Sequence, residues 1–575
     1  MFREDDEISV SRLMSLWVHE GFVKPVAGKS LETTARVVYF NDLVLKNLVV
    51  VRGWGCRIHD LLRDLCIKEA EKYKFFRTTH NHPDHDQSWC AQRRISIHQA
   101  ASERKYTLSL DVLASPLPKA VQSASRARTL ILDFDQTLPS FVPFRLLRVL
   151  HGYRIGGEFC HMVNLRHLRF KPIKRQELEF SPEFYLLWNL QTLEIYNSYR
   201  RGGYAAVLDI WRMTQLRYVM IGRFQLTDPH PKEFENGWMV LENLETLQGV
   251  CNLRWSEEVV ERIPNIKNLE IEYDELLTAA DYDLDNLCRL HKLVSLHFCI
   301  FSRKSEVMMR ITFPVSLRWL TLNGTRLGWE EMGTTIRSLP HLEGLKIWSN
   351  AFVGPEWVTA DGEFQSLRYL QISRCSDLEQ WWVEATHFPR LESLCSDLEQ
   401  WWVEATHFPR LESLQILCLD KLIEIPLGIG YINTLMEIDM VYCSDSAVLS
   451  AKKILEKQQE CFGEVELQIE VSLGSFVKGI ECALLSSFLL LLELPELTAE
   501  EAIGRERVQA ISPRQTKCGY LKQPHTAYIR ELLRSRKLHK RRKVFADRTV
   551  ESTTSDLNHL VVCLFLVIGT VFSVP

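Results

Sequence analysis

Residues 342–372 read LEGLKIWSNAFVGPEWVTADGEFQSLRYLQI and hold one short phrase twice: Leu342, Leu345 and Ile347, then Leu367, Leu370 and Ile372. Working outward from these two, the phrase returns upstream as Leu317-Leu320-Leu322, Leu293-Leu296-Phe298, Ile266-Leu269-Ile271, Leu244-Leu247, Leu216-Val219-Ile221, Leu190-Leu193-Ile195 and Leu165-Leu168-Phe170. Downstream it returns as Leu411-Leu414-Ile416 and Leu435-Ile438-Met440. Between Leu165 and Leu367 its first residues step by 22 to 28. Residues two apart share one face of a strand, so each phrase reads as one short strand with its leucines turned into a common core. One such unit cannot bury its own apolar face, so the stack itself is the domain.

A period of roughly 20 to 29 residues with this phrase is that of a leucine-rich repeat. The expected fold is α/β: an irregular leucine-rich-repeat solenoid, or horseshoe, preceded by a small winged-helix module. Irregularity is expected because the asparagine or cysteine that commonly follows the phrase survives only as Asn350, Cys375 and Cys443. The residue between the two inward positions of each strand should point to the concave face. In order these are Arg169, Glu194, Met220, Gln248, Glu270, His297, Thr321, Lys346, Gln371, Gln415 and Asp439. The column is mixed in charge and holds no pair placed for acid/base chemistry. It reads as a recognition surface for another protein, with Tyr196, Trp319, Trp348 and Tyr369 as aromatic anchors. The alternative for any one of these residues is that it merely covers the neighbouring repeat.

One interval breaks the period. Residues 375–394, CSDLEQWWVEATHFPRLESL, recur letter for letter as 395–414, and removing one copy restores a step of 24 between Leu367 and the next first leucine. A tandem duplication of this kind is expected to add a short, poorly fitting turn carrying Trp381 and Trp382 or Trp401 and Trp402.

At the front, Ile8, Leu13, Leu16 and Trp17 fall on one side of a helix that should stop at Gly21. Leu31 to Lys46 reads as a second helix, Leu48 to Ile58 as a hairpin, and His59-Asp60 as the opening of a third helix bearing Leu61, Leu62, Leu65 and Ile67. The phrases FREDDEISVSRLMSLWVHEGFV, ETTARVVYFNDLVLKNLVVV and CRIHDLLRDLCIKEAEKYKFF resemble the winged-helix end of the nucleotide-binding region in plant coiled-coil, nucleotide-binding, leucine-rich-repeat immune receptors, the late blight resistance group of nightshades above all. In that family a Met-His-Asp motif sits beside ADP. The resemblance places Ile58-His59-Asp60 there and makes His59 and Asp60 nucleotide-proximal. On the residues alone, His59 is a helix-start residue packed inside the module.

The family's phosphate-binding loop and coiled coil would lie upstream of Met1, so the resemblance implies a truncated receptor that keeps the sensing part, with ADP or ATP belonging to the intact family and no cofactor in this chain. Gly28-Lys29-Ser30 lacks the earlier glycine and the preceding strand that a phosphate loop needs. The partners implied are proteins: a pathogen effector, a guarded host protein, or the nucleotide-binding domain of a related receptor. The alternative function is a leucine-rich-repeat substrate adaptor or scaffold in a ubiquitin-ligase or signalling complex. Neither reading is enzymatic.

Composition agrees with a cytoplasmic protein. Charged residues make up 25% of the 575, the net charge is −4, and the 15 cysteines contain no CxxC pair, a pattern of reduced thiols. The third helix balances its bases with acids, which argues against nucleic acid as a partner. THNHPDHDQSWC (79–90) carries plausible zinc ligands in a spacing that fits no standard finger, so it reads as a loop and no metal is assigned. The divisions expected are 1–72 for the winged helix, 73–105 for a connector, 106–472 for the solenoid and 473–575 for a tail. In the tail, RSRKLHKRRK (534–543) suits nuclear import, and the apolar residues 560–575 are just short of a membrane span. Through these two segments the tail offers a nuclear or membrane-associated alternative.

Overall fold

The computed structural model describes residues 8–472, apart from 53–54, 81–86, 99–114, 117–123, 133–135, 138–143, 153–161, 171–179, 181, 197–205, 230–239, 275–281, 302–310, 331, 333–335, 338, 360–361, 376, 384–386, 397–406, 418–424, 442 and 464–465, together with 505–508.

The first helix, Val10–Glu20, begins at Ser9, whose Oγ accepts from the Arg12 amide, and ends at Gly21 in the left-handed region (φ 78°). There the amides of Gly21 and Phe22 donate to the Val18 and Trp17 carbonyls, each at 3.0 Å, the glycine stop that a residue without Cβ permits. Ser30 caps the second helical stretch by accepting from Thr33 at 3.1 Å. That stretch runs Leu31–Thr34, Ala35–Phe40 and Asn41–Leu45, its middle segment widened into π geometry. Val49–Arg52 and Gly55–Ile58 form the hairpin, joined by Ile8–Ser9 as a third antiparallel strand, and Asp60–Lys72 is the third helix. Trp17, Ala35 and Leu43 are fully buried at the centre of this module.

From Arg77–His80 onward the chain lays down one strand after another in a single parallel row. Next come Arg94–His98, Thr129–Leu132, Val149–Gly152, His167–Phe170 and Thr192–Ile195, and the row reaches Glu437–Val441 and Gln468–Ser472. Arg505–Val508 pairs antiparallel with the last of these. The inward leucines stand in register: Leu168, Leu193, Val219 and Leu247 at one end, then Leu269, Leu296, Leu320, Leu345, Leu370, Leu394, Leu414 and Ile438. They form one continuous core.

The row starts earlier than the leucine count suggests, inside the stretch read as a connector. Ala127 stands where a first leucine would, so the rung of Leu130 and Leu132 is disguised in the sequence, while Trp89 fills the core below Ile95 and Ile97. In the sequence, Arg94–His98 and Tyr106 to Leu110 both alternate like first strands of the stack; the former is the rung observed, and the latter lies outside the described residues. Turns between rungs are tied by side chains: Asn164 Nδ2 donates to the Arg145 carbonyl and Asn189 Nδ2 to the Val163 carbonyl, both at 2.7 Å, and Asn265 donates to Glu242 at 2.8 Å. These bonds satisfy carbonyls that the tight turns would otherwise strand.

The duplicated block corrects the expectation of a poorly fitting turn. Ser393–Ser396 pairs in register with Tyr369–Ser373 on one side and Ser413–Leu417 on the other. Leu394 and Leu414 are both fully buried. The block fits because each copy brings its own complete Leu-x-x-Leu phrase and its own phenylalanine: Phe388 and Phe408 lie 5.9 Å apart below the sheet. Trp329, Trp357 and Trp381 stack there at 5.0 and 5.1 Å. Trp401 and Trp402 lie outside the described residues. A variant lacking 395–414 should therefore keep a single cooperative thermal transition at an unchanged temperature, because each neighbouring rung recovers an equivalent partner. A clear drop in its melting temperature would mean that the extra rung is integral.

The helix Asp445–Phe462 lies between the last two parallel strands and turns Ala447, Ala451 and Ile454 onto the stack. Gln458 Nε2 donates to the Ile432 carbonyl at 2.8 Å. Among the described residues no helix is long and apolar enough to cross a membrane, and no three His, Cys, Asp or Glu side chains are gathered to hold a metal ion. Segments 534–543 and 560–575, and His82, Asp84, His85 and Asp86, lie outside the described residues.

Candidate functional site

Two surfaces on the concave side matter: a stretch over the first rungs that the winged-helix module covers, and the wall beyond it. The outward positions of the first rungs, in register, are Arg94, Thr129, Val149, His167 and Thr192. Helix Val10–Glu20 lies against them. Glu20 Oε2 accepts from Arg94 Nε at 3.0 Å and Nη2 at 2.7 Å, with both side chains buried. The Arg94 guanidinium also lies over the Phe22 and Phe75 rings, at 4.6 and 4.3 Å from their centroids. Arg148 Nη1 donates to the Glu20 carbonyl at 3.1 Å, a cation at a helix C-terminus as the helix dipole favours. Glu32 pairs with Arg217, and Ile131 and Val149 of the solenoid are buried in the module's own apolar cluster.

Between these ion pairs sit three buried histidines. His19 Nδ1 donates to the Ser15 carbonyl at 2.6 Å, which leaves Nε2 to accept from Thr192 Oγ1 at 3.0 Å. Its ring lies 5.0 Å from that of His167, which in turn lies 4.8 Å from His151. Both ring nitrogens of His167 and Nε2 of His151 are buried, with no hydrogen-bond partner among the described residues. Burial pushes His19 down to about 4, with Arg217 and Arg166 adding to the fall against the Ser15 bond and Glu32. Burial holds His151 and His167 well below the usual histidine range, with His19, Arg12 and Arg169 adding to it in both and His167 adding to it for His151. The junction is therefore built for neutral imidazoles.

Since these folded-state values lie below the unfolded value, the unfolded chain binds protons first as pH falls. Stability at the junction is complete above about pH 6.5 and should decline from there down to about 4. His19 alone accounts for about 3 kcal/mol of that decline. Urea midpoints measured from pH 7.5 to 4.5 check this; a midpoint constant across that range would contradict it.

The column proposed for partner recognition lines up as one row. Arg169 pairs with Glu194, and Glu270 with His297, Thr321, Lys346 and Gln371 in successive registers. It is less open than the alternation of a strand implies. Met220, Glu270, Lys346, Gln371 and the adjacent Trp348 are buried, while Arg169, Glu194, His297, Thr321 and Trp319 are half-buried. Neighbouring strands are only about 4.8 Å apart, so long side chains on one rung lie over the next. Arg169 lies 4.3 Å over the Tyr196 ring and 3.7 Å from Glu194, whose carboxylate accepts from Tyr196 Oη at 2.9 Å. Farther along, His297 Nδ1 is 3.4 Å from Glu270, and Lys346 lies 5.3 Å over the Tyr369 ring.

Trp319 lies flat over Gly344, where an added Cβ would meet its ring at 2.1 Å. The indole thus reaches to 6.0 Å from the Tyr369 ring. This glycine, inside a strand, is needed for close approach, and the patch of Trp319, Tyr369, Lys346 and Gln371 is the aromatic centre of the wall beyond the module.

His59 is the N-cap of the third helix: its Nδ1 accepts from the Leu61 amide at 3.3 Å. It is exposed, as is Asp60, so packing inside the module is corrected; a cap residue at a strand-to-helix corner stands outside the core by construction. On the same helix Leu61 and Leu65 are 53% and 48% exposed. Sequence reasoning missed the whole docking contact. The signal was present in Arg94, Arg148 and Arg217 next to inward isoleucine or leucine positions, with Glu20 and Glu32 at helix ends to meet them.

Comparison with known proteins follows the same outline. Residues 126–462 match the leucine-rich repeat region family and residues 1–66 the disease resistance protein winged helix domain. The chain is 26% identical over 506 residues to a putative late blight resistance protein homolog, R1B-23, of Solanum demissum, covering 84% of this chain and 38% of that protein. It is 27% identical over 491 residues to late blight resistance protein R1-A of the same species, covering 81% and 36%. The chain thus spans little more than a third of these relatives' length. A solved leucine-rich-repeat protein of Leptospira interrogans is 16% identical, covers 70% of this chain and 98% of its own, and superposes with a TM-score of 0.31.

Proposed function

Because the chain belongs to the leucine-rich repeat region family and carries the winged helix of plant disease resistance proteins, we propose that it serves plant defence as a sensor that grips another polypeptide. The repeats recognise a pathogen effector or a guarded host protein on the wall centred on Trp319 and Tyr369, and in doing so bias a nucleotide switch. The observation that carries this reading is the buried Glu20–Arg94 contact, which seats the winged helix on the first rungs of the same stack that carries the wall. A ligand that favours one arrangement of such a pair over another shifts the balance between them.

The nucleotide-binding domain of a related receptor would meet the module on the side of His59, Asp60, Leu61 and Leu65, where exposed leucines suit a protein contact. ADP or ATP would be held chiefly by that partner domain, with His59 and Asp60 beside it. Replacing Leu61 and Leu65 by aspartate should weaken binding to the nucleotide-binding region of the R1-A relative at least tenfold, as two buried apolar anchors are lost. Biolayer interferometry with both proteins purified checks this. Unchanged affinity, or selective capture of a ubiquitin-ligase core subunit instead, would favour the adaptor reading.

A further inference from the structure

The position just before each strand forms an edge that runs along the whole stack. On four consecutive rungs it is arginine: Arg93, Arg128, Arg148 and Arg166, whose backbones are joined rung to rung. The Arg128 amide donates to the Arg93 carbonyl at 2.6 Å, Arg148 to Arg128 at 2.7 Å, and Arg166 to Arg148 at 2.8 Å. With strands about 4.8 Å apart, the four span roughly 15 Å. Arg93 is exposed and the other three are half-buried.

Farther along, the same edge carries both signs, and its arginines and lysine there stand beside glutamates. Glu245 lies 3.0 Å from Lys267, Arg318 pairs with Glu343, and Arg368 grips Glu392 with two bonds of 2.9 and 2.6 Å. At the arginine end the facing carboxylate is Glu20, and its Oε2 is taken by Arg94. Among the described residues, Arg93, Arg128 and Arg166 form no ion pair. Like charges on adjacent rungs repel. Beyond burial, the charges of Arg148, Arg93 and Arg94 act against protonation of Arg128, and those of Arg166 and Arg94 against Arg148, with Glu20 opposing them in both. A guanidinium row kept at this cost, while Lys267, Arg318 and Arg368 farther along each have a glutamate partner, is a row arranged for an anion.

We propose that the edge of Arg93, Arg128, Arg148 and Arg166 binds a compact anion carrying two or more phosphate groups. Each phosphate monoester brings about −1.5 to −2 charges, so two of them one or two rungs apart match four guanidiniums. Carboxylates would need a longer, more densely acidic partner to do the same. Arginine is the side chain whose planar fork meets phosphate oxygens in pairs, and the row contains no lysine. The anion would sit beside the C-terminal end of helix Val10–Glu20 and, by occupying Arg148, which donates to the Glu20 carbonyl, would adjust how firmly the module is held.

The test is calorimetric titration of the whole chain with tripolyphosphate and with inositol trisphosphate, alongside flotation with phosphatidylcholine vesicles with and without phosphatidylinositol bisphosphate. The expected result is one saturable site whose affinity falls as salt rises. The double variant Arg128→Ala/Arg166→Ala should bind at least tenfold more weakly with an undiminished melting temperature, whereas Arg318→Ala/Arg368→Ala should bind as the wild type does. Should the double variant fail to fold, Arg93→Gln, at an exposed position, must show the same direction. Displacement of the chain from vesicles by soluble inositol trisphosphate assigns a soluble ligand; retention assigns the lipid headgroup. Absence of saturable binding to either probe, equal affinity of the Arg128/Arg166 variant, or tighter binding of poly-glutamate than of tripolyphosphate would overturn the proposal.

Discussion

Replacing Glu20 by alanine is expected to cost about 3–5 kcal/mol and to split one unfolding transition into two. Arg94 would be left with its charge in a site where its side chain is 5% exposed and held against Phe22 and Phe75. Coulomb attraction lost is the smaller part of the effect; the larger part is a guanidinium stranded out of water. The module cannot simply relax, because the three histidines beside it and the buried Ile131 and Val149 fix the same helix. The cheapest escape is for the helix to lift and let water reach Arg94. Chemical denaturation followed by Trp fluorescence should then show the module melting ahead of the repeats. Conversely, the double change Glu20→Gln/Arg94→Met, which removes both charges and keeps most of the volume, should recover much of the loss.

Leu345→Ala is expected to cost about 2–5 kcal/mol. Leu345 is fully buried between Leu320 and Leu370 in the inward row, and its rung carries Gly344, on which Trp319 lies. A solenoid transmits such damage only to nearest neighbours. The loss should therefore appear as early exchange of amides in Trp319–Asn323, Gly344–Trp348 and Tyr369–Ser373 with the winged helix unaffected. A change of equal size at Leu61, which is 53% exposed, would show that burial does not set the cost.

The repeats were legible because the strand period and the repeat period reinforce each other over many copies, so that no single weak position, such as Val219 for leucine, could hide the row. Of the first rungs, Arg94–His98 was readable from its alternation, whereas Thr129–Leu132 was not, because Ala127 does the work of a leucine there without its spelling. Helix ends at Gly21 and His59 were readable from local chemistry alone. The junction was not readable, since Glu20 and Arg94 are 74 residues apart and nothing in either neighbourhood names the other. The concave column could be placed but not its exposure: alternation says which way a side chain leaves the sheet, whereas Lys346 lying over Tyr369 depends on the rung beyond.

The winged helix is seated on the first rungs, away from the wall around Trp319 and Tyr369. Hydrogen exchange on the wild-type chain and on Glu20→Ala measures this most directly. The account predicts faster exchange in Val10–Glu20, Thr129–Leu132 and Val149–Gly152 of the variant, with Trp319–Asn323 and Tyr369–Ser373 unchanged. Equal exchange of Val10–Glu20 in the two proteins, or uniform loosening of every rung, would contradict it.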